Sequence, residues 1–157
     1  VYKRQDPMFH RRRVVRLPDD IYVIEDRVTG ICREDHDIRL YYNFAFGHLD
    51  GENGKFDYTS QKGRGYTMTV QADKKLDFEI LEGSEDPIGG WISYGYAWRK
   101  PIPQLIAKHS GKAPIHFITV LAPEETKAET AINGDAAMVT LAGGKVLTLT
   151  ENAVELH

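Results

Sequence analysis

Two stretches of this sequence carry side chains suited to chemistry. In the first, His10 stands directly before Arg11, Arg12 and Arg13. An imidazole titrates near neutral pH, so His10 can move a proton or ligate a metal. A guanidinium is a planar fork that holds a carboxylate bidentately. On a strand the side chains alternate, so Arg11 and Arg13 share one face and Arg12 shares the other with Arg16. Such a face can meet an acidic glycan. The plainer reading is an edge strand blunted by charge. In the second stretch Tyr94, Tyr96 and Trp98 alternate, with Trp91 before them and Arg99 and Lys100 after. An extended segment would put the three aromatics on one face, where rings stack on sugars and cations hold carboxylates. A core or inter-domain aromatic cluster would have the same composition.

The other candidates are weaker. His36, His109 and His116 are scattered and read as structural histidines. Asp50-Gly51-Glu52-Asn53-Gly54 lacks the acidic spacing and closing Glu of a calcium loop. Cys32 is the single cysteine, which excludes an internal disulfide framework. There is no glycine-rich phosphate loop, no Gly-x-Ser-x-Gly elbow and no Cys-x-x-Cys pair.

These residues must be positioned by strands. Ile38, Leu40, Tyr42, Phe44 and Phe46 alternate with more polar neighbours, as do Leu76, Phe78 and Ile80, and Tyr66, Met68 and Val70. That period is a strand with one buried face. Ile21 to Ile24 and Ile115 to Leu121 are apolar on both parities and suit central strands. Val14 to Leu17 and Ile102 to Lys108 read as strands too, with Pro101 and Pro103 confining the latter to an edge or a strand start. Pro18-Asp19-Asp20, Asn133-Gly134 and Gly143-Gly144 read as turns, the last as a two-residue hairpin. The polar, five-glycine stretch from Gly47 to Gly65 reads as a surface loop, and Glu124 to Ala131 is the one helical candidate. About ten strands with turns at this spacing predict an all-β, predominantly antiparallel sandwich.

The chain has 157 residues, a length suited to one domain. Hydrophobic residues make up 41% and charged residues 27%, which is globular composition. The formal charge of −3 argues against a nucleic-acid binder. No apolar run is long enough for a membrane span. The chain opens on Val1-Tyr2-Lys3-Arg4-Gln5 without an initiator Met or a signal segment. It reads as a fragment whose first few residues are non-native.

Two segments add a family resemblance. One runs from His10-Arg11-Arg12-Arg13 through Leu17-Pro18-Asp19-Asp20 to Ile24-Glu25-Asp26-Arg27-Val28, and continues through Gly30, Glu34 and His36 to Tyr42-Asn43-Phe44. The other is Gly90-Trp91-Ile92-Ser93 to Tyr96-Ala97-Trp98-Arg99-Lys100-Pro101, followed by Pro114 to Pro123. Together they resemble the carboxy-terminal β-sheet domain of the heparinase II/III-like polysaccharide lyases. The resemblance covers about residues 8 to 123. Ala97 stands where that family usually has Gly, and Asn43 where many members have His.

The resemblance implies a parent enzyme that cleaves uronate-containing polysaccharide by β-elimination. That chemistry neutralises the uronate carboxylate, removes the C5 proton and protonates the leaving oxygen. It also implies an upstream helical toroid, absent here, which would carry the main catalytic groups. This chain would line the groove, with Arg11, Arg13, Trp91, Tyr94, Tyr96, Trp98 and Arg99 as substrate contacts and His10 as a possible proton-transfer group. The family often holds a cation in this sheet. The resemblance therefore implies a structural divalent cation, zinc or calcium, on His10, Asp26 and a third ligand, His48 or Asn43. The alternative is a surface His paired with a carboxylate. The implied compartment is the periplasm, cell envelope or extracellular space. The implied ligand is an acidic polysaccharide, with heparan-type and alginate chains both open. The other readings are a non-catalytic carbohydrate-binding module and a domain-docking module.

Overall fold

The computed structural model describes residues 6–124, 126 and 128–157. The first five residues, expected to be non-native, lie outside the described residues. Among the described residues there is no helix, and every strand pairing is antiparallel.

A six-stranded sheet forms the middle layer, in the order β1-β2-β13-β6-β5-β4. Its strands are β1 (Met8–Leu17), β2 (Ile21–Gly30), β4 (Gly47–Glu52), β5 (Lys55–Ser60), β6 (Gly65–Ala72) and β13 (Ile115–Pro123). A three-stranded sheet covers one face, with β12 (Pro103–Gly111) between β3 (His36–Asn43) and β7 (Asp77–Glu82). A four-stranded meander covers the other: β14 (Ala128–Asn133), β15 (Ala136–Leu141), β16 (Val146–Leu149) and β17 (Val154–Leu156). Two small hairpins complete the fold. One pairs β8 (Ser84–Glu85) with β9 (Ile88–Gly89), and the other pairs β10 (Trp91–Gly95) with β11 (Trp98–Pro101).

The sandwich expectation holds, with an added layer. Two separate cores explain the runs that are apolar on both parities. In β13, Ile115 and Phe117 join the core under the three-stranded sheet, while Ile118, Val120 and Ala122 join the core under the meander. In β2, Val28 enters the first core, and Ile21 and Val23 the second. Pro103 begins β12, where its missing N–H costs no ladder bond in the strand interior.

Two expectations are corrected. The stretch from Gly47 to Gly65 is no loop but the hairpin β4–β5. Asn53 and Gly54 both have positive φ, at 54° and 82°, which suits a two-residue turn closed by Glu52 opposite Lys55. Leu49, Phe56 and Tyr58 are the buried residues that hold this hairpin in the first core. The helical candidate is also replaced: Glu124 lies in a turn and Ala128–Asn133 is a strand, while Glu125 and Lys127 lie outside the described residues. A meander strand paired with β15 outweighs the weak local helix preference. The Gly143-Gly144 turn is present but looser than a two-residue hairpin: Leu141 N donates to Lys145 O at 2.8 Å.

Candidate functional site

The β10–β11 hairpin separates its side chains into two groups. Ile92 lies opposite Lys100 and Trp91 opposite Pro101, after which the register shifts before Gly95 pairs with Trp98. Tyr94 lies within this shift, and its ring centroid is 5.4 Å from that of Trp98. Lys100 Nζ is 5.4 Å from the Trp98 ring centroid. Tyr94, Trp98 and Lys100 are all exposed. This is one group: two adjoining aromatic rings and a cation, open to solvent.

The other group faces the protein. Trp91 Nε1 donates to Ser84 O at 2.9 Å. The Arg99 guanidinium lies 4.1 Å from the Trp91 ring centroid, and its Nη2 donates to Glu85 Oε1 at 2.6 Å. Both side chains therefore fasten the hairpin to β8. Tyr96 does not continue the aromatic stripe. It occupies the turn with Ala97, which has φ 56°, and it is fully exposed at the tip. The expected row of Tyr94, Tyr96 and Trp98 is thus a pair with an outlying tip, because the chain reverses at Tyr96-Ala97. Lys100, outside the set of substrate contacts expected from the sequence, belongs with Trp98. Its signal was parity: two residues on from Trp98 in a strand, it shares that face. A cavity of about 240 Å³ adjoins it, lined also by Phe46, Gln61, Glu82 and Pro103.

The arginine strand β1 is an edge, paired with β2 alone. Arg12 lies opposite Asp26 and Arg13 opposite Glu25. Asp26 is fully buried, and its Oδ1 accepts from Arg12 Nε at 2.7 Å while Oδ2 accepts from Arg12 Nη2 at 3.1 Å. The His10 Nε2 lies 2.6 Å from the same Oδ1. On this face Tyr42 Oη and Thr119 Oγ1 share a hydrogen bond of 2.7 Å. Burial pushes the Tyr42 hydroxyl up to about 12, with the Asp26 charge adding to the shift and Arg12 opposing it.

The opposite face holds Glu25. It accepts from Arg13 Nε at 2.5 Å and from Arg27 Nε at 3.0 Å, and His116 Nε2 lies 2.8 Å from its Oε1. Burial alone would raise this carboxyl. The hydrogen bonds from His116, Arg13 and Arg27 outweigh it and hold the pKa at about 2. The arginines then reach the meander: Arg13 donates to Thr150 O, and Arg27 to Asp135 O. Arg13 is therefore engaged inside the protein. Arg11 is exposed and lines a cavity of about 460 Å³ with His10, Arg27, Thr29, His116 and Asp135. Glu25 and Arg27 escaped the sequence reading. The one signal was a run of two carboxylates and a guanidinium, Glu25-Asp26-Arg27, inside a strand that is otherwise mostly apolar.

The structure brings His10 and Asp26 together, and His48 to neither. His48 lies on β4, at the opposite edge of the six-stranded sheet from β1. Asn43 Oδ1 is taken by Gln104 Nε2 at 2.7 Å. Among the described residues no three His, Cys, Asp or Glu side chains converge as a cation cage. Both Asp26 oxygens are held by the Arg12 guanidinium, so the residues present do not fit a bound cation there. The remaining histidines pair locally, His36 with Asp6, His109 with Lys75 O and His157 with Glu155.

No protein-family model matches the sequence, and no curated protein matches it. Solved structures do. A heparinase III structure superposes at a TM-score of 0.71 with 17% identity, over 91% of this chain and 24% of that one. A heparan sulfate lyase, HepC from Pedobacter heparinus, superposes at 0.67 with 14% identity, over 94% of this chain and 24% of that one. A further heparinase III superposes at 0.63 with 14% identity, over 94% and 23%. The chain spans about a quarter of the length of these proteins, and it has the fold of a heparinase III β-sheet domain.

Proposed function

We propose that this chain is the carboxy-terminal β-sheet domain of a polysaccharide lyase that cleaves uronate-containing glycans by β-elimination, and that it lines the substrate groove. The observation that carries this reading is the superposition of nearly the whole chain on a quarter of a heparinase III. The open Tyr94–Trp98 ring pair with Lys100 supports it, because it offers stacking and positive charge on one exposed face. The proton-transfer groups belong to the parent's helical toroid, and this domain contributes binding and orientation. His10 is committed to Asp26, so we read it as a structural partner of that carboxylate rather than as the acid or base. Arg12 supplies the positive charge that a structural cation would otherwise bring. An acidic polysaccharide is the ligand, and the setting is the periplasm, cell envelope or exterior.

The test compares two proteins on heparan sulfate and alginate, followed by absorbance of the unsaturated uronate product. This chain alone is expected to yield none, and the longer parent to yield it from one of them. Product from the isolated chain, or none from the parent on either glycan, overturns the reading. In the latter case glycan retention by this chain would favour a non-catalytic binding module, for which the exposed hairpin already speaks.

A further inference from the structure

We propose that Lys100 reads the anionic group of the bound glycan while Tyr94 and Trp98 carry its ring, and that Trp91 and Arg99 build this surface without touching the ligand. The inference deepens the glycan-binding reading above and rests on it.

The argument starts from which cations are already used. Arg99 stacks on Trp91 and pairs with Glu85, so its charge is neutralised and its fork is occupied. Arg12 and Arg13 hold buried carboxylates. Lys100 ion-pairs with no carboxylate among the described residues, and it is exposed beside an exposed tryptophan. A guanidinium would impose bidentate geometry, whereas the compact ammonium has rotatable donors and accepts either a carboxylate or a sulfate oxygen. Its position 5.4 Å from the Trp98 centroid places it within reach of a substituent on a sugar stacked there.

The adjoining cavity limits the ligand further. Glu82 and Gln61 line it together with Lys100. A second anion would be repelled by Glu82, whereas hydroxyls find an acceptor and an amide. The surface therefore fits one charged residue over the rings, followed by a hydroxyl-rich, uncharged stretch toward Gln61.

The experiment is an NMR titration of the isotope-labelled chain with an oligosaccharide that carries one 1,4-linked uronate among neutral sugars, and with the same oligosaccharide after reduction of that carboxylate. Lys100→Gln is expected to weaken the acidic ligand about tenfold, the loss of one charge-assisted contact, and to leave the neutral one unchanged. Lys100→Arg restores most of the acidic binding. Trp98→Ala weakens both ligands. Unaltered amide spectra away from the hairpin establish that each variant is folded. Acidic binding by Lys100→Gln equal to that of the unaltered chain overturns the role of Lys100 while leaving the glycan reading in place. Equal affinity of the unaltered chain for both ligands does the same. Failure of the unaltered chain to bind either ligand overturns both.

Discussion

Glu25 and Asp26 are consecutive residues of β2, both buried, and they point into different layers. Each lies opposite an arginine of β1, Asp26 facing Arg12 and Glu25 facing Arg13. Alternation along a strand makes this possible: one carboxylate serves each face of the sheet. The arginine run that looked like a free cationic strip is thus largely consumed in holding the edge strand down.

Glu25 makes stability depend on acid. Its pKa of about 2 in the fold lies below its ordinary value, so it stabilises fully above that ordinary value. The contribution is lost as the pH falls through the window between about 4.5 and about 2. Stepped-pH chemical denaturation should therefore show a fall in stability there. In Glu25→Gln the fall is shallower, and stability at neutral pH is lower by about 3 kcal/mol, because two half-buried arginines lose their counter-charge. A variant with an unchanged acid profile would remove Glu25 as its cause.

Arg12 fills the place that a cation would take on Asp26. Saturating zinc or calcium is expected to leave the melting temperature of the chain unshifted, since a ligand that does not bind the folded state cannot stabilise it. Arg12→Ala should cost about 3 kcal/mol, by leaving Asp26 buried with His10 alone. A metal-induced rise in the unaltered chain would restore the cation site.

Losses in the two cores should add. Leu105 lies in the core under the three-stranded sheet, and Leu147 in the core under the meander. Replacing either with Ala should cost about 2–5 kcal/mol in urea denaturation. The double variant should cost the sum to within about 0.5 kcal/mol, as for distant sites. A large coupling energy would mean that the two layers repack together.

Ala97 sits in the left-handed region at φ 56°, where a side chain is penalised. Ala97→Gly relieves that penalty and gives back part of it as unfolded-chain entropy. The net expectation is a gain of about 0.5 kcal/mol, measured as slower amide exchange at Tyr94 and Lys100. Faster exchange would show that the turn prefers alanine.

The strand content and the sandwich class were legible, because a two-residue period records one-sided burial wherever a strand has a wet face. Ile38, Leu40 and Tyr42 show this plainly, with their buried parity turned to the first core. The same logic was silent for β13, which has apolar residues on both parities. That pattern says a strand is covered on both sides and not by what. The β4–β5 hairpin was missed because glycine and polar residues dominate its composition, although Asn53-Gly54 carried the turn signal. At the site, residue types were legible and allegiances were not. Trp91 and Arg99 have side chains suited to a ligand, and only the fold shows that Ser84 and Glu85, in a short hairpin of their own, also engage them. Lys100 followed from parity once the turn at Tyr96-Ala97 fixed where the strand restarts.

The position of β13 bears on how this gene can vary. Most strands here have one parity on which substitution is cheap. Between Ile115 and Ala122, Ile115, Phe117 and Leu121 answer to one core and Ile118, Val120 and Ala122 to the other, so a change at either parity disturbs one of them. A saturation scan of the chain would show an unbroken intolerant band along this strand, set among stripes elsewhere. Substitutions that keep this fold are therefore expected to gather in the one-sided strands and the turns.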